Sequence, residues 1–284
     1  MQVKGRNLLV RNVNRLLPKQ LRRVFKIISS KNPIAFFDSG VGGLTVYSKL
    51  KKLLPNEDYI YFGDTKNMPY GEKTKDQLLE YADRIFNFFK SKNAKAVVMA
   101  CNTTSSVIYD DVKDKYGLKI YPVIQSCAKI LAEMPVKRIG VFATNATVNS
   151  GAYKKEIQKF NPDIDVIQIA CPEWVKIVEE NKVSQSSDKV KLKLDEMLKC
   201  NPDKIVLGCT HYPYLLSVLS EFAPRDKFID PSMFFAKFIK DDMEKSGLLT
   251  SGSGDEEIFV SANPENFKKA AKLFYDLKDL PMLY

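Results

Sequence analysis

The fold of this chain follows from residues 95–105, KAVVMACNTTS, in which a short apolar run ends at a cysteine and hydroxyl residues follow. Residues 204–213, KIVLGCTHYP, repeat the same order of features around a second cysteine. Each apolar run has strand character, and a helical pattern follows each cysteine. The two segments therefore predict two similar strand-then-helix units, with a cysteine at the end of one strand in each.

Apolar runs and helical patterns also alternate on either side of these segments. Alternation of this kind predicts βαβ units with parallel sheets covered by helices on both faces. Cys101 and Cys209 are 108 residues apart, as are Lys119 and Lys227, which indicates a repeat. The fold class is therefore predicted to be α/β, with two pseudo-repeated doubly wound units. The predicted strands are 34–37, 59–62, 96–99 and 120–124, then 139–142, 166–169, 205–207 and 228–229.

The last part of the chain does not continue this repeat. After a predicted helix over 234–245, Asn263 and Pro264 are expected to cap and open a final helix that runs to about residue 277. This helix is expected to pack back on the first unit. The predicted division is a basic extension (1–32), a first α/β domain (33–125 plus 235–284) and a second α/β domain (126–234), with the active site in the cleft between the two domains.

The net charge of +10 is concentrated at the start of the chain. Residues 1–32 hold nine basic and no acidic side chains, and the remainder is close to neutral. The main body therefore gives no electrostatic argument for binding nucleic acid. The extension itself is compatible with a nucleic-acid or anionic-membrane arm, an organellar targeting segment, a solvated tail or an upstream translation start, and the last two are favoured.

Composition limits the class of protein further. Hydrophobic residues make up 45% of the 284 positions, enough for a sizeable core, and no apolar run approaches the roughly 20 residues of a membrane span. The five cysteines are scattered, and no secretory apolar segment precedes them. We expect a cytoplasmic protein with reduced thiols.

The carboxyl ends of parallel strands form the ligand crevice of an open α/β sheet. Asp38 follows the first predicted strand, Cys101 the third, and Cys209 and His211 the matching strand of the second unit. If the units face each other, both cysteines line one cleft. A thiolate that takes a proton from a carbon, opposite a thiol that returns one, would racemise or epimerise a small molecule without a cofactor.

Each thiol needs a partner that manages its proton, because a free thiol with a pKa near ~8.5 is mostly protonated at neutral pH. His211 is close enough in sequence to serve Cys209, and Asp38 could serve Cys101. Glu179 is either a proton partner of His211 or part of a solvated helix face. The other cysteines are expected to be structural, and no cluster of ligands predicts a metal site; these cysteines are Cys127, Cys171 and Cys200.

Five motifs in this order and spacing resemble those of the glutamate racemases in the cofactor-independent aspartate/glutamate racemase superfamily. The resemblance covers roughly residues 33–284. The motifs are FDSGVGGLTV (37–46), GDT (63–65), PYG (69–71), ACNT (100–103) and GCTHYP (208–213).

This resemblance implies cofactor-independent interconversion of L- and D-glutamate, which supplies D-glutamate for bacterial peptidoglycan. It implies that Cys101 handles the proton of D-glutamate and Cys209 that of L-glutamate, with Asp38, His211 and Glu179 tuning the thiols. It also implies a homodimer. The implied substrate contacts are Asp38, Ser39, Tyr70, Gly71, Asn102, Thr103, Thr147, Thr210 and His211.

Two departures from the family pattern are Asn145, in a turn that is often acidic or glycine, and the basic extension. Three alternatives stay open at this point. The first is a two-cysteine racemase or isomerase that acts on aspartate, hydantoin or another small diacid. The second is a nucleic-acid or regulatory protein on an inactive racemase scaffold, and the third is a pyridoxal-phosphate racemase, for which no Schiff-base lysine beside a phosphate site is evident.

Overall fold

The computed structural model describes residues 32–250 and 252–284. Apart from Asn32, the predicted basic extension lies outside these residues. The strands of the described part are β1 (Ile34–Asp38), β2 (Tyr59–Gly63), β3 (Ala96–Met99), β4 (Lys119–Pro122), β5 (Arg138–Ala143), β6 (Asp165–Ala170), β7 (Lys204–Leu207), β8 (Phe228–Ile229), β9 (Glu256–Val260) and β10 (Met282–Leu283). Its α-helices are α1 (Leu44–Leu53), α2 (Lys75–Ser91), α3 (Asn102–Val107), α4 (Tyr109–Val112), α5 (Val123–Ala132), α6 (Asn145–Ser150), α7 (Ala152–Gln158), α8 (Glu173–Glu179), α9 (Ser187–Leu198), α10 (Leu216–Phe222), α11 (Ser232–Lys245) and α12 (Pro264–Ala271).

The strands form two parallel sheets with the same internal order. The first sheet has the order β10-β9-β2-β1-β3-β4, and the second has the order β6-β5-β7-β8. The four strands β2-β1-β3-β4 thus correspond one to one with β6-β5-β7-β8, and every pairing is parallel. The prediction of a repeated, parallel α/β architecture is confirmed.

The first sheet is buried on both faces, as expected for a doubly wound parallel sheet. Ile34 and Phe36 of β1 belong to an apolar core that continues into the second half of the molecule, which is the half built on the second sheet. Ala35 and Phe37 belong to a separate core beneath α2. Helix α2 begins after a capping box, in which Gln77 N–H donates to Thr74 Oγ1 and Thr74 N–H donates to Gln77 Oε1.

Two predicted boundaries are wrong. The predicted strand over 120–124 ends at Pro122, and Val123 begins α5. The final helix ends at Ala271 rather than near residue 277. Pro264 does occupy its first turn, but Asn263 precedes it in a left-handed conformation (φ 50°) without a side-chain capping bond.

The predicted domain limits, at 125/126 and 234/235, fall inside α5 and α11. The core shared by the two halves also crosses both limits. The late strand β9 pairs with β2, so the end of the chain returns to the first sheet. Within the part of the chain that the structure describes, no helix has the length and apolar character needed to cross a bilayer.

Candidate active site

The carboxyl ends of β1, β3 and β7 meet at a cleft. This cleft lies between the half of the molecule built on the first sheet and the half built on the second. It encloses about 540 Å³ of space, including its open mouth. Cys101 and Cys209 both line this one cleft, the first from the sheet containing β3 and the second from the sheet containing β7. The lining residues are Ser39, Met68, Pro69, Tyr70, Gly71, Glu72, Cys101, Asn102, Thr103, Thr144, Pro172, Val175, Cys209, Thr210 and His211.

Cys101 lies between β3 and α3, at the capping position of the helix. Its side chain is buried, with 6% of its surface exposed. Burial and then the nearby charge of Asp38 raise the pKa of the Cys101 thiol to about 12, although the backbone N–H groups of Thr104 and Thr103 favour the thiolate. At neutral pH this sulfur therefore carries its proton and is a potential acid.

Asp38, the last residue of β1, is fully buried beneath the cleft. Its Oδ1 accepts a hydrogen bond from Gly40 N–H at 3.0 Å, whereas Oδ2 has no hydrogen-bond partner within the described residues. Burial raises the pKa of Asp38 to about 6, against the opposing effects of His211 and of the N–H groups of Gly40 and Gly43. The carboxyl can therefore exchange a proton near neutral pH.

Cys209 follows β7 and has an imidazole as its neighbour. His211 Nδ1 lies 3.8 Å from Cys209 Sγ, and His211 Nε2 lies 2.6 Å from Glu179 Oε1. Burial alone would lower the pKa of His211, but the hydrogen bonds with Cys209 and Glu179 outweigh burial and hold the pKa well above 6.5. The three groups therefore form a connected chain in which a protonated imidazole lies between a sulfur and a carboxylate.

Hydroxyl and amide groups of the residues directly after Cys101 join the two halves of the molecule. Thr103 Oγ1 lies 3.0 Å from Thr144 Oγ1, which in turn donates to Thr147 Oγ1 at 3.1 Å. Tyr153 donates its hydroxyl proton to Asn102 Oδ1 at 2.7 Å. Both contacts connect α3 of the first half to the second half, so they fix the distance between the two halves of the cleft.

Tyr70 enters the cleft from a short 3-10 turn after Pro69. Its hydroxyl donates to Asp64 Oδ2 at 2.6 Å, and the same buried carboxylate accepts from Arg84 Nη2 at 2.9 Å. The ring of Tyr70 thus lines the cleft, while its hydroxyl group is already hydrogen-bonded to Asp64 of the first half.

Two glycines allow the halves to approach closely. A Cβ atom at Gly42 would lie 2.7 Å from His211 Cε1, and one at Gly71 would lie 2.7 Å from Thr144 Cβ. Real Cβ atoms do not approach other atoms so closely. A side chain at either position would push the halves apart or displace His211.

Most residues predicted to contact substrate lie on the cleft, but two do not. Asp38 lies beneath the lining, and Thr147 lies behind Thr144. Glu179 contacts the site through its hydrogen bond with His211. Those that line the cleft are Ser39, Tyr70, Gly71, Asn102, Thr103, Thr210 and His211.

The sequence interpretation did not select Thr144 or Tyr153 as site residues. Thr144 carried a usable signal, because it is a hydroxyl residue between a predicted strand and a helical segment, and its side chain indeed caps α6. Tyr153 carried none, since its contact with Asn102 joins residues 51 positions apart. Cys127 and Cys171 are buried away from the cleft lining, burial raises the pKa of both thiols, and Cys200 is half-buried.

Comparison with known proteins gives a consistent result. The sequence profile described as Asp/Glu/Hydantoin racemase matches residues 40–236. The chain is 42% identical over 246 residues to a glutamate racemase of Caldanaerobacter subterraneus subsp. tengcongensis, covering 85% of this chain and 92% of the relative.

Two solved structures are also similar. The glutamate racemase of Francisella tularensis in complex with D-glutamate has a TM-score of 0.83 and 32% identity, covering 90% of this chain and 98% of the other. A glutamate racemase isoform from Bacillus anthracis has a TM-score of 0.84 and 26% identity with the same coverage. The chain belongs to the aspartate/glutamate/hydantoin racemase family of isomerases.

Proposed function

We propose that this enzyme interconverts L- and D-glutamate by two proton transfers, with Cys101 and Cys209 as the acid/base pair and no cofactor. The observation that carries the proposal is that both thiols line one cleft, each at the carboxyl end of an equivalent strand. An α-carbon between two sulfur atoms can lose a proton to one and gain a proton from the other. The glutamate specificity is supported by the names of the similar proteins.

In the direction from L- to D-glutamate, Cys209 acts as the base. The positively charged imidazole of His211, held by Glu179, lies 3.8 Å from the sulfur of Cys209, which is proposed to react as the thiolate. The thiolate forms a bond to the α-proton of L-glutamate, and the electron pair of the C–H bond stays on the α-carbon as a carbanion. Cys209 ends this step as a thiol.

Cys101 then acts as the acid on the opposite face. Its raised pKa keeps the proton on sulfur until the carbanion forms, and the transfer of this proton to carbon gives D-glutamate and a Cys101 thiolate. Asp38, with a pKa of about 6, can return a proton to Cys101. The protonated His211 takes the proton of the Cys209 thiol after it has passed its own proton through Glu179 to solvent. The reverse reaction uses the same groups in exchanged roles.

The substrate is proposed to be held by hydroxyl, amide and imidazole groups around the two sulfur atoms. Such groups suit a molecule with two carboxylates and one ammonium group, because they can donate to the former and accept from the latter. The proposed direct contacts are Ser39, Tyr70, Gly71, Asn102, Thr103, Thr210 and His211 on the cleft lining, with Asp38 and Thr147 supporting them from behind.

Incubation of the purified protein with L-glutamate in deuterium oxide tests the proposal. The expected result is loss of optical rotation with one solvent deuterium incorporated at the α-carbon of D-glutamate, without added cofactor. The matched control is the double variant Cys101→Ser/Cys209→Ser, which preserves the shape of the site but lacks both thiols.

L-aspartate and a hydantoin serve as parallel substrates in the same assay. Faster racemisation of either would assign the enzyme to that substrate and overturn the glutamate assignment. Full activity of the double variant, or racemisation without deuterium incorporation, would contradict the two-thiol mechanism itself.

The proposed cellular role is supply of D-glutamate for peptidoglycan, with the enzyme as a homodimer in the cytoplasm. A reducing compartment is consistent with a mechanism that needs both thiols unoxidised, and all five cysteines are free thiols. We also propose that residues 33–125 with 235–284, and residues 126–234, act as two domains on either side of the cleft.

A further inference from the structure

The ring of Phe274 lies against the imidazole of His211. The two ring centroids are 6.0 Å apart and the rings meet edge to face, with an interplanar angle of 79°. The ring centroid of Phe274 also lies 3.9 Å from the ring centroid of Tyr214. Tyr214 is part of the 3-10 turn directly after His211. One buried side chain near the end of the chain therefore contacts both the imidazole and the turn that carries it.

Phe274 is anchored to the first half of the molecule, whereas His211 belongs to the second. The adjacent Tyr275 donates its hydroxyl proton to Glu256 Oε2 of β9 at 3.0 Å, and the same oxygen accepts from Tyr47 at 2.6 Å. The rings of Tyr275 and Tyr47 are in edge-to-face contact at 5.2 Å. The segment that carries Phe274 is thus held by contacts of Tyr275 with β9 and α1 of the first half.

The early end of α12 brings Phe274 to this place. The backbone N–H groups of Phe274 and Tyr275 both donate to Ala271 C=O at 2.7 Å. These two hydrogen bonds to one carbonyl mark the end of the helix, and the backbone that follows is not helical. The side chain of Phe274 is 8% exposed, so most of it is used in packing.

The imidazole is consequently held at three places. Nδ1 faces Cys209, Nε2 faces Glu179, and the ring contacts Phe274. Loss of the third contact would leave the imidazole less restrained against rotation about its Cβ–Cγ bond. Such a rotation moves Nδ1 and so changes its distance to Cys209 Sγ, which at 3.8 Å is already long.

We infer that Phe274 is a positioning residue that orients the His211 imidazole toward Cys209 and so selectively supports the proton transfer at Cys209. The inference rests on the proposed two-thiol racemisation. Among the described residues, Phe274 makes no ring contact or hydrogen bond with Cys101 or Asp38, so the transfer at Cys101 should be unaffected.

The variants Phe274→Leu and Phe274→Ala test this inference in the full chain. Leucine keeps an apolar side chain in the contact, so it guards against the possibility that alanine prevents folding. We expect kcat/KM to fall between about 10-fold and 10²-fold, as expected when a reacting group is displaced by a fraction of an ångström to 1 Å. The matched control is Phe267→Leu, because Phe267 is a buried aromatic residue of α12 that packs on Tyr61 instead.

The decisive measurement is the deuterium isotope effect on kcat/KM with each α-deuterated enantiomer. Because the enantiomers have equal free energies, kcat/KM falls equally in both directions, but the isotope effects need not change equally. If the transfer at Cys209 becomes slower, the isotope effect rises for α-deuterated L-glutamate and falls for α-deuterated D-glutamate. Phe267→Leu should leave the ratio of the two isotope effects at its wild-type value.

An unchanged ratio in both Phe274 variants would overturn the inference, because a purely structural role lowers the amount of active enzyme without changing this ratio. An equal change in Phe267→Leu would overturn it as well, since the effect would then be one of general packing. Failure of the proposed function looks different: the wild-type protein itself would not racemise glutamate.

Discussion

The two halves of the active site have the same backbone geometry but different electrostatics. Cys101 follows β3 and Cys209 follows β7, strands that occupy the same place in the two sheets. Near Cys101 lies a buried carboxyl group, Asp38, whereas Cys209 has an imidazole 3.8 Å away. The repeat thus supplies two equivalent positions, and the neighbouring side chains give them different chemical roles.

The groups beside the two thiols differ in how many of their polar atoms are hydrogen-bonded. His211 uses both ring nitrogens, one toward Cys209 and one toward Glu179. Asp38 leaves Oδ2 without a hydrogen-bond partner among the described residues. A carboxyl group in this setting favours its neutral form, which agrees with its raised pKa.

The largest expected effect comes from replacing each of the two thiols separately. Cys101→Ser and Cys209→Ser should each lower racemisation by more than about 10³-fold, since a serine hydroxyl is a far weaker acid than a thiol and is almost never ionised to act as a base at neutral pH. Measured by mass spectrometry in deuterium oxide, Cys209→Ser should still label D-glutamate at the α-carbon, and Cys101→Ser should label L-glutamate. Equal labelling of both enantiomers by either variant would contradict separate faces for the two thiols.

The second prediction concerns the free energy cost of the buried Asp38 carboxyl. Its pKa of about 6 in the folded state exceeds the reference value of 3.8, so the folded state binds the proton more tightly. The contribution of Asp38 to stability is therefore greatest below about pH 4 and is lost as pH rises through 6. The loss by pH 7 is about 3 kcal/mol.

Asp38→Asn should flatten this dependence, because asparagine cannot ionise. Urea denaturation at pH 4.5 and pH 7 would measure the free energy of unfolding, and activity should fall in the same variant. The control is Asp163→Asn, an exposed carboxylate in a turn of the second half. A wild-type dependence that persists in Asp38→Asn would show that another group causes it.

The third and smallest effect concerns the imidazole of the Cys209 side. Glu179→Gln removes the charge 2.6 Å from His211 Nε2, so the pKa of His211 should fall. The protonated imidazole would then be lost at lower pH, and the alkaline limb of the kcat/KM profile should move to lower pH, with about a 10-fold loss of rate. Measurement of kcat/KM between pH 6 and 10 would test this.

Glu180→Gln is the matched control for this prediction, because Glu180 is the adjacent carboxylate and pairs with Lys182 on the surface. It should leave the profile unchanged. An equal displacement in both variants would mean that the effect depends on the general charge of the helix end rather than on the contact with His211.

The architecture and the positions of the two thiols could be predicted from sequence because both depend on local patterns. Strand-then-helix alternation predicted parallel sheets, and a residue directly after a strand must lie at its carboxyl end. The same logic located Asp38 and His211. Glu179 could not be resolved between a solvated and a buried role, because its contact depends on how α8 packs against the turn after β7.

Contacts between residues that are distant in sequence could not be predicted from local patterns of this kind. Tyr153 meets Asn102 across 51 positions, and Phe274 meets His211 only because α12 ends six residues earlier than its pattern indicates. The end of that helix depends on the packing of Phe274 and Tyr275 against the body of the protein. Helical periodicity alone contains no information on that packing.

The apolar core that runs through both halves has a consequence for how the molecule can fold. Each half repeats the other in strand order, yet we expect that neither would be stable alone. Separated from its counterpart, either half would present to water the leucine, isoleucine and valine side chains that the other half covers, and would aggregate. The two repeated halves thus depend on each other for folding, because they share one hydrophobic interior.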